Sequence, residues 1–145
     1  MPSHSDSRVL PYAQDDVFDI ILDVAKYPEF LPWCIAARVY NAHENCFDAD
    51  LVIGFKMFKE RFTSRVNYVG NDEIHVEYIK GPLKHLNNHW SFKPHESGGV
   101  ELTFHVDFAF KNPIFQKLVG HLFEEAVFKM IEAFETRANS LLGDK

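Results

Sequence analysis

The C-terminal part of the sequence contains a long amphipathic helix, and this helix limits the possible folds more than any other feature. From Asn112 to Leu142, apolar residues recur at steps of three and four, the spacing of one face of an α-helix. Asn112 suits the N-cap, Pro113 the first helical position and Gly143 the position after the last turn. The apolar positions are Ile114, Phe115, Leu118, Val119, Leu122, Phe123, Ala126, Val127, Met130, Ile131, Phe134, Ala138 and Leu141. So wide an apolar stripe requires a large concave surface to cover it.

The size and charge of the chain limit its class. A chain of 145 residues with 46% hydrophobic residues predicts one globular domain, spanning residues 1–145. Because the net charge is −6, we expect no DNA partner, since proteins that follow phosphate backbones carry a basic surplus. Cys34 and Cys46 match no zinc or redox spacing, and we expect them at opposite ends of a hairpin in a reducing cytoplasm.

The ends and the hydropathy of the chain bear on its location. Met1 to Val9 is polar and matches neither a secretory signal nor a mitochondrial transit peptide. No segment reaches the run of about 18 apolar residues that a membrane helix needs. Any membrane contact is therefore expected to be peripheral, on the inner face of the cell membrane.

Before the long helix, the pattern predicts a curved antiparallel sheet. Ser7–Tyr12 is predicted as a first strand and Ala13–Ala25 as a helix, followed by a short helical turn between Pro28 and Pro32. From Ile35 to Phe110, apolar and polar residues alternate with period two, which predicts six more strands. Short turns between them, the first of them at Asn41–Asn45, predict antiparallel neighbours. The fold class is α+β: about seven curved strands that grip one long helix, a helix-grip arrangement.

The alternation assigns most apolar side chains to one inner face of the sheet. Ile35, Ala37 and Val39 form the inner set of the second strand. The polar members of the whole inner set are Ser64, Tyr68, Tyr78 and Asn88, so we expect no group on this face that titrates near neutral pH. Carboxylates such as Asp48, Asp50, Glu77 and Asp107 are assigned to the outer face as solvated charges.

No catalytic or metal-binding pattern emerges from the sequence. General acid–base or nucleophilic catalysis needs a positioned histidine, carboxylate or activated nucleophile beside the substrate, and the inner set offers none. His85 and His89 are predicted on the outer face, near His75 or His105, without metal-binding spacing. We therefore predict a protein that is not an enzyme and has no catalytic cofactor or metal.

Two interpretations of the apolar inner face remain open. The aromatic and aliphatic side chains can enclose an apolar ligand, with a few hydroxyl and amide groups binding its polar end. The same side chains can instead pack solidly against one another. A further segment, Gly54–Arg65, combines basic residues with Phe58 at a hairpin tip, so Lys56, Phe58 and Lys59 are candidate contacts with an anionic membrane, although a solvated hairpin has the same pattern.

Four segments resemble one known family. Tyr27–Cys34, Trp90–Pro94, Val106–Pro113 and Met130–Ala138 resemble, in this order, the coenzyme-Q-binding START-domain family of the polyketide cyclase/dehydrase and lipid-transport superfamily. The resemblance implies a helix-grip fold with an apolar tunnel between the sheet and the C-terminal helix. Mitochondrial members bind ubiquinone and support respiration as quinone chaperones, whereas similar bacterial proteins are RatA-type ribosome-association toxins that interfere with joining of the ribosomal subunits. Because its N-terminus has no transit-peptide pattern, the chain resembles a bacterial member, and both family functions stay open.

The sequence and the resemblance together favour binding of ubiquinone or a similar polyprenyl lipid in that tunnel. Tyr68, Tyr78 and Asn88 are candidate partners of the quinone oxygens, and Cys34 is expected to be a buried residue without nucleophilic function. The candidate lining residues are Phe30, Leu31, Trp33, Phe55, Phe62, Tyr68, Tyr78, Asn88, Trp90, Phe92, Phe104, Phe108, Phe115, Leu118, Leu122 and Phe123. The alternatives are a ribosome-binding protein with an incidental cavity and a cyclase or dehydratase, which requires an acid or base such as His105 or Asp107 inside the cavity.

Overall fold

The architecture is one antiparallel sheet with two helices on its concave face. The computed structural model describes residues 3–31, 33–55 and 58–143, and within them every side chain except those of residues 55, 58, 115, 118–124 and 126. The elements in chain order are β1 (Ser3–Leu10), α1 (Gln14–Leu22), a 3₁₀ helix (Val24–Glu29), β2 (Cys34–His43), β3 (Cys46–Phe55), β4 (Phe58–Val69), β5 (Glu73–Lys80), β6 (Leu83–Pro94), β7 (Val100–Phe110) and α2 (Pro113–Leu142).

The seven strands follow the predicted meander. Their order in the sheet is β1-β7-β6-β5-β4-β3-β2, so β2 to β7 are consecutive antiparallel neighbours and β1 closes the far edge beside β7. The turn between β2 and β3 is flanked by Asn41 and Asn45, with φ angles of 52° and 64°. Asparagine tolerates this left-handed conformation better than most residues do, which explains why this turn was predictable.

Helix α2 begins and ends as its sequence predicts. The Asn112 side-chain oxygen accepts a hydrogen bond from the Ile114 backbone N–H at 2.8 Å, and Gly143 N–H donates to the Asn139 carbonyl at 2.9 Å. Val127, Ile131, Phe134 and Ala138 are buried on the concave face. The predicted stripe is too long, however, because Ile114 and Leu141 near the helix ends are 75% and 44% exposed.

The N-terminal elements differ from the prediction. Strand β1 begins at Ser3, not Ser7, because it pairs with β7 from Ser3 opposite Asp107 to Leu10 opposite Val100. The predicted helix Ala13–Ala25 divides into α1 and the 3₁₀ helix, with Asp23 between them. The proline at position 28 lies inside that 3₁₀ helix, and because proline has no N–H it cannot donate the backbone hydrogen bond that a continued α-helix would need.

One inward assignment on β2 is wrong. Ala37 and Val39 pair with Leu51 and Ala49 as expected, but the register shifts between Cys34 and Ala36. This bulge leaves Ile35 opposite no residue of β3 and 53% exposed. An extra residue in a strand does not alter the alternation that precedes it, so the sequence pattern alone does not reveal the bulge.

Candidate functional site

One part of the concave face is solidly packed. Trp90 stacks on Phe104 with 5.1 Å between ring centroids and meets Phe134 of α2 at 5.5 Å. Phe92 meets Phe18 of α1 at 5.1 Å. The candidate lining residues Trp90, Phe92, Phe104 and Leu31 are all at most 5% exposed. In this part of the face, the aromatic side chains of the sheet pack against α1 and the C-terminal half of α2.

A small cavity lies within the packed part. Its volume is about 20 Å³, room for about one water molecule. Residues of the sheet, of α1 and of the C-terminal half of α2 line it: Arg8, Leu10, Val17, Ile20, Ile21, Trp90, Leu102, Phe104, Ile131, Phe134, Glu135 and Ala138. This cavity is far too small to hold a lipid.

The adjoining part of the concave face is less buried. Val76, Val106 and Phe108 point to the same side as Trp90 but are only partly buried. Phe62 and Tyr68 of β4 are likewise partly buried, and Tyr68 contacts the rings of Phe18 and Phe47. The predicted lining side chains Phe55, Phe115, Leu118, Leu122 and Phe123 lie outside the described side chains.

Phe30 and Trp33 border α2 and β2. The Phe30 ring meets Tyr27 and Phe134 edge to face, and the Arg137 guanidinium lies 5.0 Å above it. Trp33 is partly buried against the core, yet its indole Nε1 is buried with no hydrogen-bond partner. The indole N–H can only donate, so this atom lacks the acceptor that buried tryptophans usually find.

Cys34 fulfils the expectation of a buried, unreactive thiol. It is 5% exposed, and burial raises the pKa of its thiol to about 11. Its Sγ lies 3.7 Å from the Ala36 carbonyl, and both cysteines are free. A thiol that stays protonated at neutral pH is a poor nucleophile.

Two of the three predicted polar contacts are engaged within the sheet. The Asn88 amide donates to the His105 carbonyl at 3.0 Å and its oxygen accepts from the Trp90 indole at 2.9 Å. The Tyr78 hydroxyl accepts from the Leu83 backbone N–H at 2.9 Å, which holds the turn between β5 and β6. These groups position the sheet, and each has only part of its hydrogen-bonding capacity left for a ligand.

The concave face also carries titratable groups, which the sequence analysis had excluded. His4, Asp6 and Arg8 pair across β1 with the inward residues Val106, Phe104 and Leu102 of β7 and therefore share their face. Arg8 donates to Asp6 at 3.4 Å and to Glu135 of α2 at 3.1 Å. The expectation failed because polar residues occupy alternate positions from residue 4, where no apolar pattern marks a strand.

The outer face holds His75, His85, His89 and His105, as expected. His75, His89 and His105 stand side by side on β5, β6 and β7. His105 lies 2.7 Å from Asp107, which also approaches His85 at 3.2 Å, and the His105 hydrogen bond holds the pKa of Asp107 below its usual range. The cyclase interpretation requires His105 or Asp107 inside the cavity, but both lie on the outer face.

One outer carboxylate is not solvated as predicted. Asp48 is 7% exposed, and it accepts hydrogen bonds from Arg65 at 2.9 Å and Asn41 at 3.1 Å. The Arg65 contact lowers the pKa of Asp48 from its ordinary value. Asp48 is therefore part of a structural network that joins β2, β3 and β4.

The predicted membrane hairpin is only partly described. Lys56 and the side chain of Phe58 lie outside the described residues, whereas Lys59 is exposed on β4. Within the described ranges, no helix is long and apolar enough to cross a bilayer. The same ranges contain no cluster of three or more histidine, cysteine or acidic side chains arranged to hold a metal ion.

The chain is similar in sequence to a protein family and to several characterised proteins. Residues 10–135 match the family model described as polyketide cyclase/dehydrase and lipid transport. The chain is 38% identical to the ribosome association toxin RatA of Rickettsia prowazekii, over 98% of this chain and 99% of that protein. It is 32% identical to the mitochondrial coenzyme Q-binding protein COQ10 homolog B of Xenopus laevis, over 97% of this chain and 59% of that protein.

A solved structure agrees with these matches. The solution structure of an 18 kDa protein from Caulobacter crescentus superposes with a TM-score of 0.81 at 34% identity. The alignment covers 99% of both chains. The seven-stranded sheet and its long C-terminal helix are thus shared along the whole length.

Proposed function

The chain belongs to the polyketide cyclase/dehydrase and lipid transport family, and from this premise we propose that it binds ubiquinone or a similar polyprenyl lipid without transforming it. The observation that carries the proposal is the incomplete burial of Val76, Val106 and Phe108 on the concave face. Apolar side chains that the protein itself leaves partly uncovered gain about 25 cal/mol per Å² when an apolar ligand covers them.

The groups around this surface favour binding over catalysis. Asn88 and Tyr78 hydrogen-bond within the sheet, and the pair His105 and Asp107 lies on the outer face. The Cys34 thiol, with a pKa near 11, is protonated at neutral pH. Asn88 and Tyr78 therefore maintain the sheet, and the ligand's tail is held by apolar contact.

The choice of a quinone comes from a relative. The Xenopus laevis protein that aligns with 97% of this chain is named as a coenzyme Q-binding protein. A polyprenylated quinone combines a long apolar tail with a compact polar ring, which suits an apolar surface bordered by a few polar groups. We propose that this protein acts as a carrier or chaperone that supports respiratory electron transport or quinone biosynthesis.

Lipid extraction tests this function directly. The protein is expressed in a quinone-producing bacterium, purified without detergent and extracted with organic solvent for mass spectrometry. We expect about one ubiquinone per protein and a strong reduction in the variant Phe108→Glu, which places a charge on the half-buried surface. Val69→Glu is the matched control, since Val69 is 63% exposed on the outer face. An extract free of lipid from the unmodified protein would contradict the proposal.

We propose that loading occurs at the membrane through the hairpin between β3 and β4. Lys59 is exposed there, and Lys56 and Phe58 lie beside it in the sequence. Vesicles containing anionic lipids should retain the protein, and the double change of Lys56 and Lys59 to glutamate should weaken retention. Unchanged vesicle binding by that variant would remove the hairpin from the loading step.

Ribosome association is the second candidate, supported by the RatA name of a relative that aligns along nearly its whole length. It predicts that the purified protein sediments with ribosomal subunits and that this binding weakens as salt increases. Sedimentation with ribosomes by a Phe108→Glu variant that has lost lipid would show that the two activities are separable. The net charge of −6 makes a broad contact with ribosomal RNA less favourable.

A further inference from the structure

His4 and Asp6 form a polar pair on the concave face next to its half-buried part. His4 lies opposite Val106 in the register of β1 and β7, and Val106 in turn lies opposite Asn88 of β6. The His4 ring centroid is 5.7 Å from that of Phe104. The pair therefore stands where the packed aromatic cluster ends and the less buried surface begins.

The His4 ring has an unsatisfied nitrogen. Its Nε2 atom is buried without a hydrogen-bond partner, although the side chain as a whole is 30% exposed. The nearest acceptor is Oδ2 of Asp6 at 3.8 Å, too far for a direct hydrogen bond. Buried polar atoms are nearly always paired, so an unpaired one at a candidate binding surface points to a group that the ligand supplies.

The other contacts of Asp6 leave room for such a group. Its Oδ1 accepts from the Ser7 backbone N–H at 2.8 Å, and its Oδ2 lies 3.4 Å from Nε of Arg8. Arg8 is held in turn by Glu135 of α2 at 3.1 Å. These contacts fix the carboxylate, while Oδ2 keeps a lone pair available on the side of His4.

The spacing of the pair selects a type of ligand atom. The nearby carboxylate favours the tautomer of His4 with the proton on Nε2, which makes this nitrogen a donor. An oxygen about 2.8 Å from both Nε2 and Oδ2 can bond to both atoms, which are 3.8 Å apart, once it displaces the protein atoms that cover Nε2. That oxygen accepts from His4 and has to donate to Asp6, which a hydroxyl can do and a carbonyl cannot.

We propose that His4 and Asp6 bind a hydroxyl group on the ring of the apolar ligand, and that this contact makes the protein prefer a hydroquinone over the corresponding quinone. The inference rests on the proposed function and specifies its ligand. With the oxidised form, the carbonyl oxygen faces the lone pairs of Asp6. With the reduced form, both hydrogen bonds are made.

The test compares the two redox forms of one ligand. Ubiquinone with a ten-carbon alkyl tail, oxidised or chemically reduced under anaerobic conditions, is titrated against the intact protein by tryptophan fluorescence. We expect the reduced form to bind about tenfold more tightly, a difference of about 1.4 kcal/mol. Asp6→Asn should abolish or reverse this preference, because the amide can donate to a carbonyl. His4→Phe, which keeps a ring beside Phe104, should weaken binding of both forms.

Outer-face variants provide the controls. His75→Phe and Glu77→Gln make the same types of change on the exposed side of β5 and should leave both affinities unchanged. The proposal is overturned if the unmodified protein binds the two forms with equal affinity, or if the Asp6→Asn variant keeps the preference for the reduced form. Binding of neither form by the unmodified protein instead counts against the proposed function itself.

Discussion

The two parts of the concave face have the same alternating sequence pattern and different degrees of burial. Phe92, Trp90 and Phe104 on β6 and β7 are at most 5% exposed, whereas Val106 and Phe108 on β7 and Val76 on the neighbouring β5 are only partly buried. The difference lies in what covers them. Phe18 of α1 and Phe134 of α2 pack onto the first group. Period-two alternation therefore identifies a face that can be buried, and the covering helices decide how completely each part of it is buried.

The largest expected effect comes from opening the packed part. Phe92→Ala removes a fully buried ring that touches Phe18, and we expect a loss of about 3–5 kcal/mol in the free energy of unfolding. Urea denaturation followed by circular dichroism measures it. A loss below about 1 kcal/mol would mean that the two parts of the face are packed alike.

The two tryptophans differ in whether the indole N–H is hydrogen-bonded. Trp90 donates to Asn88, whereas Trp33 Nε1 has no partner. Replacing Trp90 by phenylalanine should cost about 1–3 kcal/mol of unfolding free energy, since the Asn88 oxygen is left without its donor. The matched change Trp33→Phe removes an unsatisfied donor and should cost clearly less. Equal losses in urea denaturation would show that indole packing, not the hydrogen bond, sets the difference.

A milder change probes the less buried part. Phe108→Ala should lower the free energy of unfolding by only about 1 kcal/mol, because part of the ring is already in contact with solvent. The same variant should retain less lipid on purification. Phe108→Ala therefore changes lipid content more than stability, whereas Phe92→Ala mainly lowers stability. A stability loss as large as that of Phe92→Ala would contradict the division of the face into two parts.

The last comparison concerns the pH dependence of stability at Cys34, on the margin of the packed part. The pKa of Cys34 is raised by burial from 9.0 to about 11, so unfolded chains lose this proton at lower pH than folded ones do. The resulting contribution to stability is complete below pH 9 and is lost as the pH rises toward 11. Thermal melts of the unmodified protein and of Cys34→Ala across this range isolate it, because the Tyr27 hydroxyl, whose pKa burial also raises, titrates in both. Parallel pH profiles would show that Cys34 does not titrate differently in the folded state.

The sequence predicted much of this architecture because most of its signals are local. The Asn112 cap, the turn at Asn41–Asn45 and the alternation along β3 to β7 each depend on residues close together in the chain. The family resemblance added the grip of the sheet around α2. These features require no knowledge of distant contacts.

The features that were missed depend on distant partners. His4 and Asp6 belong to the concave face only because β1 pairs with β7, about a hundred residues away. Asp48 is buried because Arg65 and Asn41 meet it from two other strands. A polar residue in a short N-terminal strand shows no period of its own, so its face is decided by tertiary pairing.

The position of β1 at the far edge of the sheet has a consequence for synthesis. The strand leaves the ribosome first, but its partner β7 is among the last elements to emerge, with β2 to β6 between them in the chain. Strands β2 to β7 can pair with their neighbours as they appear, whereas β1 has to wait. His4 and Asp6 therefore reach the concave face only after β7 has emerged, and the nascent chain cannot present the complete surface before then.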